Sequence, residues 1–360
     1  MNALEYDATM ATRDVSVRLD VAPRETVALL GPNGAGKSTV LGVVAGLLEP
    51  TAGRVTLGGR DLVSAPGRSV PPHLRHVSLL AQDPLLFPHL SALENVAFGP
   101  RARGVPRAAA RATARHWLER VGIADLADRR PDQLSGGQAQ RVAIGRALAA
   151  DPEVLLLDEP MAALDVAVAP ALRQLLREVL ADRTVVLVTH EALDALLLAD
   201  RVVVLDGGRV VETGTTTEVL TRPRSAFAAR IAGLNLVAGT WDGVQVSAEP
   251  LAVLGMTGEP APGPGEEAVA VFAPSAVSVF REAPGGSPRN AFAATVTDLE
   301  PLGDRIRVRT DASGHHLAAD VTPAAVADLG LGPGSAVELT VKATEVTIYA
   351  ASRASGTGDR

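Results

Sequence analysis

The spacing of apolar positions changes along this chain, and the changes divide it. Across residues 4–30, short apolar runs broken by charges read as two or three strands, and residues 53–62 read as a hairpin turning at Gly58-Gly59. Together they predict a small antiparallel sheet. Residues 77–81 form a further apolar strand that ends at Gln82. Between 90 and 150 the spacing becomes helical: Ser91 caps a helix over 92–98, and an Ala/Arg-rich helix over 107–121 puts Trp117 and Leu118 on one face. Leu134-Ser135-Gly136-Gly137-Gln138 interrupts this block before helix resumes over 140–149. Residues 154–157 and 184–188 are unbroken aliphatic sequence, as in strands covered on both faces of a parallel sheet. Asp158-Glu159 closes the first and Thr189-His190 the second. Residues 202–205 and 209–212, joined by Gly207-Gly208, make a last hairpin. The pattern over residues 1–235 is therefore that of one doubly wound α/β domain, whose ligands sit at the carboxyl ends of its strands.

Beyond 235 the chain turns to short alternating strands with turns at Asp242-Gly243, Gly303-Asp304 and Ser313-Gly314. The Gly/Pro-rich stretch 255–265 reads as a loop or linker. A weak repeat runs through this region. Laid on Pro333 to Tyr349 without a gap, Pro264 to Phe280 keeps its alternation in phase, with Ala268, Ala270, Phe272, Val277 and Val279 on Val337, Leu339, Val341, Val346 and Ile348. Residues 236–351 are thus expected to hold two related, barrel-like β modules, the second at about 288–351, and 352–360 a disordered tail.

The densest candidate chemistry is Gly31-Pro32-Asn33-Gly34-Ala35-Gly36-Lys37-Ser38-Thr39, set between a predicted strand and a predicted helix. It has the form G-x-x-x-x-G-K-[ST]. Its glycines let successive N–H groups turn onto a phosphate chain, Lys37 reaches the β- and γ-phosphates, and Ser38 offers a hydroxyl to Mg²⁺. Thr39, where a third glycine would stand, excludes a dinucleotide fingerprint. The plainer reading is a glycine-rich turn. Lys37 and Lys342 are the only lysines, which makes a lysine inside such a loop harder to ascribe to chance.

Phosphoryl transfer to water needs more than a phosphate loop: a held metal, an oriented and deprotonated water, and matched transition-state charge. Asp158 ends its strand as a metal-holding carboxylate. Glu159, expected on the opposite side of the extended chain, is a candidate general base. Gln82 can contact both metal and water, and His190 can donate to the γ-phosphate. Each has a structural alternative, as a helix-start acid, a loop amide or a strand-end histidine.

With these residues in order, the chain resembles the ATP-binding-cassette ATPases. Leu134 to Gln138 is similar to that family's signature, and Gln82, Ala163-Leu164-Asp165 and His190 to its Q-, D- and H-loops. The resemblance implies a phosphate-loop ATPase domain in which a doubly wound sheet carries antiparallel β and helical subdomains. It also implies that Ser135, Gly136, Gly137 and Gln138, with Asp165, meet ATP bound by a second copy, so that two chains share each nucleotide. In the family adenine stacks on an aromatic some 20 to 25 residues before the loop, where only Tyr6 is available here. Residues 236–349 resemble the small all-β, oligosaccharide-fold tails of importer ATPases, and their last part resembles molybdate-binding Mop modules. Ser287, Arg289, Asn290, Lys342 and Thr344 fall at positions similar to oxyanion ligands, although Pro288 has no N–H to offer.

The family's molybdate importer subunits are the best match, with importers of sulfate, iron, polyamines or sugars, or a soluble non-transport ATPase, as alternatives. A transmembrane permease docking on residues 87–99 is implied, with an extracytoplasmic binding protein reached through it and a place on the cytoplasmic side of the membrane. Composition agrees. No apolar run reaches the roughly 18 residues of a membrane span, so a membrane role must come through a partner. Residues 1–14 lack the build of a signal peptide. A net charge of -7 argues against nucleic acid as partner. Absent cysteine excludes disulfides and thiolate chemistry and fits a reducing compartment.

Overall fold

The computed structural model describes residues 2–351 apart from Ala163, Val166, Ala283 and Pro284. The tail expected over 352–360 lies outside the described residues. The chain divides between Thr217 and Glu218 into two compact units.

In the first unit, β1 (Leu4–Met10) and β2 (Val15–Val21) alternate buried and open positions, so Leu4, Tyr6, Ala8 and Met10 face inward while Glu5 and Asp7 face water. They are followed by β3 (Thr26–Leu30), α1 (Lys37–Ala45), β4 (Ala52–Leu57), β5 (Arg60–Ala65), β6 (Arg68–Ser69) and β7 (Val77–Leu80). The antiparallel sheet has the order β2-β1-β4-β5-β6. Helices α2 (Ala92–Ala102), α3 (Arg107–Arg120) and α4 (Gly136–Ala149) then pack on one another around Trp117, Leu118, Val142 and Ile144. The remaining elements are β8 (Val154–Asp158), α5 (Ala169–Leu180), β9 (Val185–Val188), α6 (Ala192–Leu198), β10 (Arg201–Asp206) and β11 (Arg209–Thr215).

The central sheet runs β11-β10-β3-β9-β8-β7, parallel except for the edge strand β11. Every residue of β3 and β9 is buried, which is why these strands read as unbroken apolar runs. All the parallel strands point their carboxyl ends the same way, and the loops that follow them meet there. Arg75, fully buried, ties the far end of α1: its Nη1 donates to Val43 O at 2.6 Å and Val44 O at 3.0 Å. Both carbonyls lie in the last turn of the helix, where the intrahelical ladder runs out, and Val43 O also accepts from Gly46 N–H at 3.2 Å.

Two short helices, α7 (Thr216–Thr221) and α8 (Ala226–Ile231), lie at and after the division. The second unit continues with β12 (Asn235–Trp241), β13 (Gln245–Ala248), β14 (Leu251–Leu254), β15 (Met256–Thr257), β16 (Glu267–Phe272) and β17 (Ser278–Phe280). It ends with β18 (Asn290–Leu302), β19 (Arg305–Ala312), β20 (His315–Val321), α9 (Pro323–Asp328), β21 (Ala336–Val341) and β22 (Thr347–Ala350). Hairpins turn at all the predicted turn pairs. The stretch read as a linker contains β15, which adds to the sheet edge by parallel pairing with β22. It was invisible to pattern because two residues carry no periodicity.

The repeat is present as strand, 3-10 turn, strand in both copies, but the copies exchange their last strands. β16 pairs with β22 and β17 with β21, so each sheet, β14-β13-β12-β16-β22-β15 and β17-β21-β18-β19-β20, takes one strand from the other half. Residues from both sheets share one core. A matching pair of asparagines opens the two halves. Asn290 Oδ1 accepts from Leu254 N–H at 2.7 Å, and its Nδ2 donates to Leu254 O at 2.9 Å and Val341 O at 3.2 Å. Asn235 clamps Ala318 in the same way, at 2.7 and 2.9 Å.

Asn290 is 1% exposed, and its removal deprives three backbone groups, Leu254 N–H, Leu254 O and the buried Val341 O, of a hydrogen bond. Asn290→Ala is expected to lower the stability of this unit by about 2–4 kcal/mol. Urea unfolding followed by Trp241 fluorescence in a Trp117→Phe background checks this. An unchanged midpoint would show that the clamp is dispensable.

Candidate functional site

Three glycines shape the loop after β3. A Cβ on Gly31 would strike the Leu205 carbonyl of β10, and one on Gly36, at φ 102°, would lie 2.8 Å from Val15 Cγ2 of β2. The backbone therefore threads between two strands and delivers Lys37 and Ser38 to the first turn of α1, with Ala35 N–H donating to Pro32 O at 3.2 Å. Lys37 is 7% exposed, and its Nζ donates to Gly31 O at 2.6 Å and Pro32 O at 2.9 Å. Burial pulls its pKa down, against the Glu159 and Asp158 carboxylates.

Asp158 ends β8, and Ser38 Oγ donates to its Oδ2 at 3.5 Å. Burial, then the adjacent Glu159 charge, pushes the Asp158 carboxyl up, and Ser38, Lys37 and His190 oppose this. A hydroxyl and a carboxylate of this kind form the hard-oxygen donor set that suits a divalent cation shared with phosphates, and a cation there would relieve the raised Asp158.

Glu159 does not lie opposite Asp158 as an extended chain requires. Its backbone is left-handed at φ 49°, which breaks the strand alternation and turns both carboxylates into one cleft. A non-glycine residue so held costs about 1–3 kcal/mol. The Glu159 N–H is anchored on Val188 O at 2.9 Å. Its two oxygens are also held: His190 Nε2 lies 2.6 Å from Oε1, and Gln82 Nε2 donates to Oε2 at 3.4 Å. The turn carrying His190 rests on a buried network, in which Thr189 Oγ1 donates to Asp194 Oδ2 at 3.4 Å and Arg173 Nε to Asp194 Oδ1 at 2.6 Å. The segment after Gln82 is fastened by Arg146 of α4, whose guanidinium donates to Pro84 O at 2.8 Å and Leu85 O at 2.9 Å and lies over the Phe87 ring.

Asn33, Gly34, Gly36, Lys37, Ser38, Thr39, Gln82, Asp158, Glu159 and His190 together line one cleft of about 360 Å³. Arg13 and Val15 also line it. Pattern could not find them, since a lone arginine between two strands carries no signal. Tyr6 is not at the cleft. It is 2% exposed in the core under β1, and burial drives its phenol pKa upward, so it cannot stack on a base.

The signature residues stand elsewhere on the chain. Ser135 and Gly136 are exposed at the N-terminus of α4 and do not line the cleft. Ser135 Oγ accepts from Gln138 N–H at 3.3 Å, while Gln138 Oε1 accepts from Ser135 N–H at 2.9 Å. This capping box engages the N–H groups of Ser135 and Gln138, so Gly136 and Gly137 stand between them in the first turn, at the positive end of the helix. Asp165 is also exposed and away from the cleft. Over residues 87–99, Asn95 is fully buried and binds Phe87 through both N–H and carbonyl, and the Phe87 ring lies 4.5 Å from the partly exposed Phe98. In the second unit, Ser287, Arg289, Lys342 and Thr344 are exposed, whereas Asn290 spends its amide on the frame.

A phosphate loop and strand-end carboxylates in one cleft, with a capped glycine-rich helix start elsewhere on the unit, are the parts of a nucleotide-binding cassette. The ABC transporter family profile matches residues 15–162 and the TOBE domain profile residues 286–348. The chain belongs to the ABC transporter family, as one of its ATP-binding import proteins. It is 50% identical to the molybdenum import ATP-binding protein ModC of Mycobacterium tuberculosis, over 98% of each chain. It is 34% identical to the molybdate/tungstate import ATP-binding protein WtpC of Pyrococcus horikoshii, over 92% of this chain and 94% of that one. The Fe(3+) ions import ATP-binding protein FbpC of Streptomyces coelicolor is 48% identical, but over only 62% of this chain and 63% of its own. A solved ATP-binding cassette, dimeric and in a post-hydrolysis state with ADP and Pi, superposes with a TM-score of 0.51 at 31% identity, over 60% of this chain and 97% of that one. No helix among the described residues is long and apolar enough to cross a membrane.

Proposed function

We propose that two copies of this chain bind and hydrolyse ATP with Mg²⁺ on the cytoplasmic side of a membrane and so drive molybdate uptake through a separate permease, fed by an extracytoplasmic binding protein. The observation that carries the substrate is the reach of the matches. The molybdenum and molybdate/tungstate proteins resemble the chain from end to end, whereas the iron protein matches little more than the cassette.

The site's chemistry follows from its partners. A triphosphate entering the cleft offers Lys37 anionic oxygens in place of the Gly31 and Pro32 carbonyls. Ser38 and Asp158, with Gln82 beside them, would hold Mg²⁺, which would supply positive charge to offset that of the phosphates. Glu159 takes the proton of the attacking water, His190 transfers its hydrogen bond from Glu159 to the γ-phosphate, and Gln82 orients the water. Gly136 and Gly137 of the second copy present N–H groups to that same phosphate, and Ser135, Gln138 and Asp165 frame the contact.

Reconstituting the chain into vesicles with the membrane protein that co-purifies with it, and measuring ATP-dependent uptake, tests this reading. Molybdate should be taken up in preference to sulfate, ferric iron and spermidine. Uptake of one of the others alone would replace the substrate, and absence of any membrane partner would overturn the importer.

A further inference from the structure

We infer that Arg13 is the platform for the nucleotide's base, an arginine face serving a cleft that no Phe, Tyr or Trp among the described residues lines. The inference rests on the ATP-binding reading and deepens it. Arg13 ends the turn between β1 and β2, and that turn is pinned from two sides. Val15 packs against Gly36 of the phosphate loop, so closely that a Cβ there would sit at 2.8 Å. On the other side Ser16 N–H donates to Gly208 O at 2.8 Å, and Arg209 Nη2 donates to Asp14 Oδ1 at 3.4 Å. The turn is therefore fixed relative to the loop that holds phosphate.

From this turn Arg13 Nη1 donates to Thr39 Oγ1, at 3.3 Å, on the first turn of α1. Thr39 is buried, so it offers a stationary anchor. Arg13 itself is exposed and lines the cleft. Beside the loop 31–38 that would seat a triphosphate, the cleft is lined by the carboxylates Asp158 and Glu159 and by His190, groups that suit metal, water and phosphate and not a base. The remaining lining residues outside 31–39 are Gln82, which is hydrogen-bonded to Glu159, and Arg13 and Val15, which are left for the base. His190 is the only ring lining the cleft among the described residues, and it is engaged with Glu159. A guanidinium is flat, weakly hydrated and attracted to π faces, so it stacks on a purine where an ammonium cannot. Such a contact reads the base's face and not its edge. ATP and GTP are then bound with similar affinity.

Equilibrium binding of ATP, GTP and inorganic tripolyphosphate to the full chain, each with Mg²⁺, separates base contact from phosphate contact. Wild type should bind ATP and GTP within about threefold of each other, and Arg13→Ala should weaken both by about three- to thirtyfold while leaving tripolyphosphate within about twofold. Arg13→Tyr should restore ATP binding. Arg13→Lys should not. Equal losses for ATP and tripolyphosphate would make Arg13 a phosphate ligand and overturn the inference, as would unchanged ATP affinity in Arg13→Ala. A wild-type chain that binds no ATP would instead defeat the ATPase reading itself. Melting temperatures of the variants, expected to match wild type, guard against misfolding.

Discussion

Glu159→Gln is expected to lower ATP turnover by about 10²–10⁴-fold while ATP affinity stays near that of wild type. The amide keeps the size of the carboxylate and can still meet Gln82 and His190, so the cleft should hold its shape. It cannot accept a proton from water. With binding intact and the chemical step blocked, the closed pair of chains should accumulate, which size-exclusion chromatography in ATP would detect. Turnover within a few-fold of wild type would remove Glu159 from the role of base. Its left-handed backbone would then be strain without a catalytic reason.

Ser135→Arg is expected to abolish hydrolysis and leave nucleotide binding to the chain's own phosphate loop unchanged. The substitution places bulk and charge over the N-terminus of α4 and also removes the capping bond to Gln138. Loss of a cap costs only about 1 kcal/mol, too little to unfold the unit, so the activity loss would report on the contact with the second copy. Mixing provides the decisive measurement. A Ser135→Arg chain keeps its phosphate loop, and a Lys37→Ala chain keeps its signature, so a heterodimer of the two contains one complete site. Activity that reappears on mixing supports a shared site. Mixtures that stay silent, while both variants dimerise, would count against one intact site sufficing.

Much of this was legible in the residues because the chemistry involved is local. The loop 31–39 carries its glycines, lysine and hydroxyl within a single turn of chain, and Ser135 and Gln138 form their capping box across one helical turn. The repeat showed as two aligned alternations, and both became strand, turn and strand. Unbroken aliphatic runs marked the buried parallel strands, since burial on both faces leaves no position for a polar residue.

What needed the tertiary structure is what depends on residues distant in sequence. Asp158 and Glu159 read as facing apart, and a single left-handed residue, anchored on Val188 of the neighbouring strand, brings them together. Arg13 carries no pattern, yet the packing of Val15 on Gly36 sets it beside the phosphate loop, while Tyr6 from the expected window goes into the core. Asn290 sits among oxyanion-like residues in sequence, but Leu254 and Val341 claim its amide. Exchange of β17 and β22 between the halves follows the same rule. Periodicity specifies which face of a strand is apolar, whereas the choice of partner strand is made only when both halves close over their common core.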